Sequence, residues 1–278
     1  MKRSKRIQMY KILSYFLLII ISIIIAFPFY WLIVTSFKTY PEIYSYPLTY
    51  YPHDVTFEHF KEIMRLDIGK YFINSLIVSI TTSILSLIIA VLPAYAFSRF
   101  SFRGKNSLLT SVLLFQMFPM VIFLMPIFNL LKNIGLLDTY LGLILSYIAF
   151  TTPITIIFLR GFFIDIPESL EEAAMIDGCS IFQAFYKIIL PLTLPGIASV
   201  GTYTFLFTWS ELLYSMSFLL SKSKQTIPTF LSLFVGQYQT RWGPLFAGSL
   251  LATIPPLIIF IILQRYFIKG LTSGAVKE

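Results

Sequence analysis

The sequence predicts an all-α membrane protein: six transmembrane helices in a single domain, 1–278, with an acidic elbow on one face. Three observations carry this. Charged residues make up only 12% of the chain and apolar residues 57%, whereas soluble domains carry about 25% charged residues. Six apolar runs, approximately 12–35, 74–97, 107–131, 140–163, 195–220 and 244–267, reach or approach the roughly 20 residues that cross a bilayer. Between the fourth and fifth runs, residues 164–194 are acidic and helically patterned rather than lipid-like.

The first run follows Lys2, Arg3, Lys5, Arg6 and Lys11. It is too long for a signal-peptide core, and Ala26-Phe27-Pro28 is no small-x-small cleavage site, so it reads as an uncleaved span with a cytoplasmic N-terminus. The remaining runs insert by weight of Leu, Ile, Val and Phe, each worth about −0.3 to −0.6 kcal/mol at a helix centre. Six crossings place both termini on one side. On that side fall 13 of the 21 lysines and arginines, near helix ends, against 8 on the other; the positive-inside rule makes it the cytoplasm.

The net charge of +8 does not point to nucleic acid, because the cations flank apolar runs instead of forming a groove with interleaved aromatics. Cys179, the one cysteine, permits no internal disulfide and no Cys-rich metal site; it reads as a small buried filler. His53 and His59, in the first outer loop, lack clustered ligands and read as exposed loop residues, so no metal site is expected. That loop, residues 36–73, alternates tyrosines with Pro41, Pro47 and Pro52, a pattern suited to the headgroup region. Within it Thr56 is expected to cap a short helix with Phe57, Phe60 and Met64 on one side.

The elbow is built from local signals. Pro167 suits a first helical turn, and Glu168, Glu171 and Glu172 sit where the helix dipole favours carboxylates. Leu170, Ala173, Ala174 and Asp177 follow helical spacing and make a mostly small face. Asp177-Gly178 ends the helix, and Ser180 is placed to cap a second, Ile181 to Leu190, before Pro191 and Pro195. An acidic patch on a face that should be basic calls for a cationic partner. Read from the residues alone, a solvated surface helix fits the segment equally well.

Inside the membrane, Glu211 lies about 14 Å from the outer end of the fifth run at about 1.5 Å per residue. A charge there must be paired, protonated or facing water. With Ser210 and Tyr214 it is a candidate pathway group, as are Gln116 and Thr152, while helix–helix hydrogen bonding is the ordinary alternative for each. In the third outer loop Gln237, Tyr238, Arg241 and Trp242 offer hydrogen bonds and aromatic surface to an external protein.

Glu172-Ala173-Ala174, Asp177-Gly178 and Ile188-Ile189-Leu190-Pro191 resemble the EAA loop of ABC-importer permeases. Phe207-Thr208-Trp209-Ser210-Glu211, Thr226-Ile227-Pro228, Ala252-Thr253-Ile254-Pro255 and the ending Gly270-Leu271-Thr272-Ser273-Gly274-Ala275-Val276-Lys277 are similar to the maltose-type carbohydrate branch, and to its six-helix member. Cys179-Ser180 replaces the usual Ala-Ser or Ala-Thr, and the third outer loop is shorter than in the maltose permease.

The resemblance implies a type I ABC-importer permease in a prokaryotic cell membrane, forming half of a path for a maltose-like, trehalose-like or similar sugar. It implies that Glu171, Glu172, Ala173, Ala174, Asp177, Gly178, Leu190 and Pro191 couple to an ATPase, and that Gly274, Ala275, Val276 and Lys277 make a second contact with it. The implied partners are a second homologous permease, two copies of an ABC ATPase, an extracellular or periplasmic sugar-binding protein and the lipid bilayer. No G-x-x-x-x-G-K-[ST] loop occurs, so the chain is expected to bind no cofactor and to be no enzyme, with ATP and Mg held by the ATPase. A proton-coupled transporter titrating Glu211 is the alternative, and would need no ATPase.

Overall fold

The computed structural model describes residues 2–273, with side chains for residue 8 and residues 11–264. Among these residues the secondary structure is helical, apart from one isolated antiparallel bridge, Val235 to Thr240. The chain divides into two compact units, Met1–Ile68 with Leu231–Thr253, and Gly69–Phe230 with Ile254–Glu278.

In the first unit, α1 (Lys2–Ser36) is continuous through Pro28 and leaves its apolar side chains from Ile12 to Phe29 largely exposed. The turn after it packs Phe37 against Phe57 and Phe60, at ring distances of 5.4 and 5.1 Å. A short helix α2 (Tyr40–Ile43) presents Glu42 to the Thr49 hydroxyl and to the amide and ring of His53. In α3 (Glu58–Arg65), the Thr56 hydroxyl accepts the Glu58 amide at 3.2 Å. The face of α3 differs from the expected one: Phe57 and Met64 are exposed, and His59 and Ile63 are buried. His59 is therefore no exposed loop residue. Its Nε2 bonds the Lys38 carbonyl at 2.8 Å, and its ring lies against Gly243, where any Cβ would collide with it. A residue's side of a short helix is set by what packs on it, here a glycine nearly two hundred positions away.

In the second unit, α4 (Ile68–Arg99) runs unbroken through Pro93. The third apolar run is not one straight helix. α5 (Lys105–Met117) and the turn and helix that follow, Met120–Phe123 and α6 (Leu124–Asn133), meet at 90°. Phe118 takes an extended ψ of 128° ahead of Pro119, as a residue before proline must, and the proline supplies no N–H to continue the helix. α7 (Tyr140–Ile164) is long and intact, capped by the Thr139 hydroxyl at the Gly142 amide.

The elbow comprises α8 (Ser169–Ile176), α9 (Ile181–Ala184), a π turn Phe185–Ile189 and α10 (Leu190–Leu192). It meets α11 (Leu194–Ser210) at 69°, Pro195 standing in the first turn. The fifth run then breaks at Glu211, which is extended, before α12 (Leu213–Phe218). α13 (Ile227–Ser232) and α14 (Trp242–Ser273) follow, α14 continuing through Pro255 and Pro256. Among the described residues, four helices are long and apolar enough to cross a membrane, or up to six if each bent pair is one span.

Two apolar clusters hold the second unit. One gathers Val78, Leu131, Leu143, Tyr147, Tyr214 and Phe218; the other gathers Ala90, Tyr95, Leu159, Phe163, Phe185 and Ile189. Between them runs a seam of small hydroxyl residues, with Ser83 donating to the Gly201 carbonyl at 2.8 Å and Ser86 bonding Thr151 at 2.7 Å. Small side chains let helix backbones approach closely, and in lipid the hydroxyl bonds add to that packing.

Candidate functional site

The elbow's turn is specified by backbone geometry. Gly178 has φ +87°, a conformation that costs a side-chain-bearing residue strain. The Gly178 amide reaches the Met175 carbonyl at 3.1 Å and the Cys179 amide reaches that of Ala174 at 2.9 Å, closing a Schellman motif. Ser180 then caps the second arm: its hydroxyl accepts the Gln183 amide, and Gln183 returns a bond to the Ser180 amide at 2.9 Å. The sequence pointed to Ser180; the reciprocal Gln183 completes a capping box. Cys179 beside the turn is half-buried.

Burial sorts the expected coupling residues into two groups. Glu172, Ala173, Asp177, Gly178 and Pro191 are exposed and Leu190 is half-buried, whereas Ala174 is buried. Glu171 is also buried, at 9% exposure, and turns away from solvent toward α4. It accepts from Arg99 Nε at 2.7 Å and from the Tyr95 hydroxyl at 3.1 Å, while a second Arg99 nitrogen reaches the Ile166 carbonyl at 2.7 Å. Arg99 and Tyr95 were not legible as site residues, since they lie more than 70 positions upstream. Beside this clamp, Leu92, Ala96, Phe100, Ile181 and Phe182 line an apolar groove of about 510 Å³.

The candidate pathway residues divide too. Glu211 sits at the break between α11 and α12, where its carboxylate accepts the Tyr214 amide at 3.0 Å, the Ser215 amide at 3.2 Å and the Tyr147 hydroxyl at 2.5 Å. It thereby satisfies the first free amides of α12. The Tyr214 hydroxyl continues the network to the Met120 carbonyl at 2.8 Å. Gln116 donates to the Phe150 carbonyl at 3.0 Å and lines a cavity of about 170 Å³ with Met120, Phe150, Thr151 and Tyr203. Ser210 is exposed and bonds back to the Leu206 carbonyl. The Thr152 hydroxyl is buried without a hydrogen-bond partner.

On the opposite side of the second unit, a network missed by sequence reading ties the loop after α12 to α4 and α7. Asn74 donates to the Ser223 and Gln225 carbonyls at 3.0 and 2.8 Å and accepts from the Tyr140 hydroxyl at 2.7 Å. The Ser75 hydroxyl accepts the Ile227 amide at 2.8 Å. Asp138 accepts from the Ser221 amide at 2.9 Å and from Lys224 at 3.1 Å. Burial pushes the Asp138 carboxyl up, but the bonds from Ser221 and Lys224 outweigh it and hold it down at about 2.

In the first unit, Gln237, Tyr238 and Trp242 are exposed, Tyr238 at 93%. Arg241 is engaged: it pairs with Glu62, reaches the Tyr40 hydroxyl at 3.2 Å, and its amide donates to the Phe234 carbonyl at 2.8 Å. The tail residues Gly274, Ala275, Val276 and Lys277 lie outside the described residues.

Long apolar helices, two of them broken, that carry a capped acidic elbow and a polar break define a membrane transport subunit of the permease class. The chain belongs to the family of binding-protein-dependent transport system inner membrane components, whose family model matches residues 84–273. It is 37% identical over 260 residues to the diacetylchitobiose uptake system permease protein DasC of Streptomyces coelicolor, covering 93% of this chain and 94% of that one. It is 39% identical over 229 residues to the trehalose transport system permease protein SugB of Mycobacterium tuberculosis, covering 81% and 84%. It is 34% identical over 263 residues to the trehalose/maltose transport system permease protein MalG of Thermococcus litoralis, covering 93% and 94%.

Among solved structures, it matches a chain of a bacterial ABC transporter involved in import of the acidic polysaccharide alginate. The TM-score is 0.78 over 94% of this chain and 97% of that one, at 21% identity. A chain of the MetNI methionine ABC transporter matches with TM-score 0.60 over 73% and 96%. The fold is that of a type I ABC-importer permease.

Proposed function

We propose that this chain is the permease subunit through which an ATP-driven importer passes a sugar or oligosaccharide, forming half of the path beside a second homologous permease. The observation that carries the reading is the exposed rim of the elbow: Glu172 and Ala173 on α8, and Asp177 and Gly178 at the turn that ends it, are exposed, and the turn is held by paired backbone bonds. A small, acidic and rigid protrusion suits a cationic cleft in another protein, since small side chains permit close approach and carboxylates seek cations. Two copies of an ABC ATPase, holding ATP and Mg, supply that cleft and the energy; Leu190, Pro191 and the tail residues 274–277 extend the contact.

In this reading the bent pair of α5 and α6 makes one crossing and α11 another, with the elbow's second arm on the cytoplasmic side. Six crossings then place both termini and the elbow in the cytoplasm, in agreement with the distribution of cations between the loops. Gln237, Tyr238, Arg241 and Trp242 face an extracellular sugar-binding protein. Gln116, Thr152, Ser210, Glu211 and Tyr214 lie along or near the path, with Glu211 acting through the shape of the helix break. The sugar class is supported by the relatives named for diacetylchitobiose, trehalose and maltose.

The test is uptake of radiolabelled trehalose, maltose and chitobiose derivatives into proteoliposomes holding the complete complex, with and without ATP inside or outside. Uptake that follows an imposed proton gradient and ignores ATP would sink the reading.

A further inference from the structure

Arg99 closes α4 at a point where the elbow can be gripped. Its side chain is 5% exposed, and it holds the elbow twice, through the Glu171 carboxylate and through the Ile166 carbonyl in the segment entering α8. A planar guanidinium bonded to two fixed acceptors sets orientation as well as distance. Opening the pair leaves the buried Arg99 only the more distant Glu168 carboxylate, 4.0 Å away and also on the elbow, so the elbow and the end of α4 move together. Aromatic packing repeats the attachment on the other arm: the Tyr95 ring lies 4.6 Å from that of Phe185 in the π turn and 5.7 Å from that of Phe163 in α7.

The far end of the same helix is held just as firmly. Asn74 and Ser75 bond three backbone groups of the loop leading to α13, at Ser223, Gln225 and Ile227. Ser75 and Arg99 are 24 residues apart on an unbroken helix, a span of about 36 Å at about 1.5 Å per residue.

We propose that α4 is a strut that carries the elbow's movement to the loop 221–227, with Arg99 and Asn74 as the positioning residues at its two ends. The helices adjoining the elbow in the chain, α7 and α11, are then not the sole recipients of its motion. Each acts through the segment it holds. The proposal rests on the elbow being driven by an ATPase.

The experiment uses the complete complex in proteoliposomes, comparing wild type with Arg99→Met, Arg99→Lys and Asn74→Ala, and reads solute moved per ATP hydrolysed. The expected result is an assembled complex whose ATP hydrolysis stays within about twofold while solute per ATP falls about tenfold in Arg99→Met and in Asn74→Ala. Arg99→Lys, which keeps the charge but loses the second grip, recovers part of the ratio. Should Arg99→Met fail to assemble, Asn74→Ala decides at the other end. Hydrolysis and transport falling in step, or an unchanged ratio in Asn74→Ala, overturns the strut. A wild-type complex that never retains the ATPase overturns the docking reading, and this one with it.

Discussion

The Tyr147 hydroxyl donates to the Glu211 carboxylate at 2.5 Å, joining the first third of α7 to the break between α11 and α12. Tyr147 is fully buried, and the same carboxylate takes two backbone amides of α12. All the neighbours that bond Glu211 are donors. The structure thus uses the carboxylate to start a helix inside an apolar bundle.

This makes the outcome at Glu211 specific. Glu211→Gln keeps an acceptor and is expected to leave ATP-driven uptake within a few-fold of wild type. Glu211→Ala strands buried amides and the Tyr147 hydroxyl, at a cost of about 1–3 kcal/mol per unsatisfied group, and should lower the thermal midpoint of the detergent-solubilised protein. Uptake abolished by Glu211→Gln with an unchanged midpoint would show that the carboxylate does more than hold the helix break.

At the elbow, Gly178→Val puts a β-branched residue at φ +87°. Such strain costs on the order of 1–3 kcal/mol, and it falls on a local turn outside the helices. Membrane insertion is expected to be normal, with capture of the ATPase and uptake lost. Glu172→Lys, which reverses an exposed charge without strain, should lose the same partner. Quantitative co-purification read beside insertion by protease accessibility checks both, and near-normal uptake in either variant would refute the docking surface.

The Asp138 carboxyl titrates at about 2 in the folded protein, below its ordinary 3.8. A depressed carboxyl stabilises the folded form above the ordinary value, and that contribution disappears as pH falls through the folded one. Wild-type stability should therefore drop between about pH 4 and pH 2, and Asp138→Asn should flatten that part of the profile. Thermal midpoints measured across this range give the answer; parallel profiles for the two proteins would contradict it.

Gly196, in the first turn of α11, faces the ring of Phe162, and a Cβ there collides with the ring carbons. Gly196→Ala should destabilise by about 1–3 kcal/mol, the usual cost of overpacking. Adding Phe162→Leu should recover part of it. Unfolding midpoints of the single and double variants test the contact; additive losses would mean that the two side chains do not compete for the space.

Much of the elbow was legible because its signals are local. Ser180 at a cap, Gly178 at a left-handed turn and Pro195 at a helix entry each act on backbone within four residues. The bend at Phe118-Pro119 was within reach of the same reasoning, since a proline restricts the residue before it. The hydrophobicity that marks the run as one span carries no information about direction. His59 was misplaced, and the Arg99 partner of Glu171 was out of reach, for another reason: a polar side chain goes wherever a partner offers to satisfy it.

The sequence by itself determined that the chain lives in lipid, how many apolar segments it has, where an acidic elbow interrupts them and which residues cap it. Those follow from composition and from interactions between near neighbours along the chain. Only the tertiary structure decided that Glu171 belongs to Arg99, that Glu211 serves α12, and that Asn74 holds a loop some 150 positions away. The physical reason is one of competition. A buried polar group must be satisfied, but many donors and acceptors in the chain could do it, and packing alone selects which of them arrives.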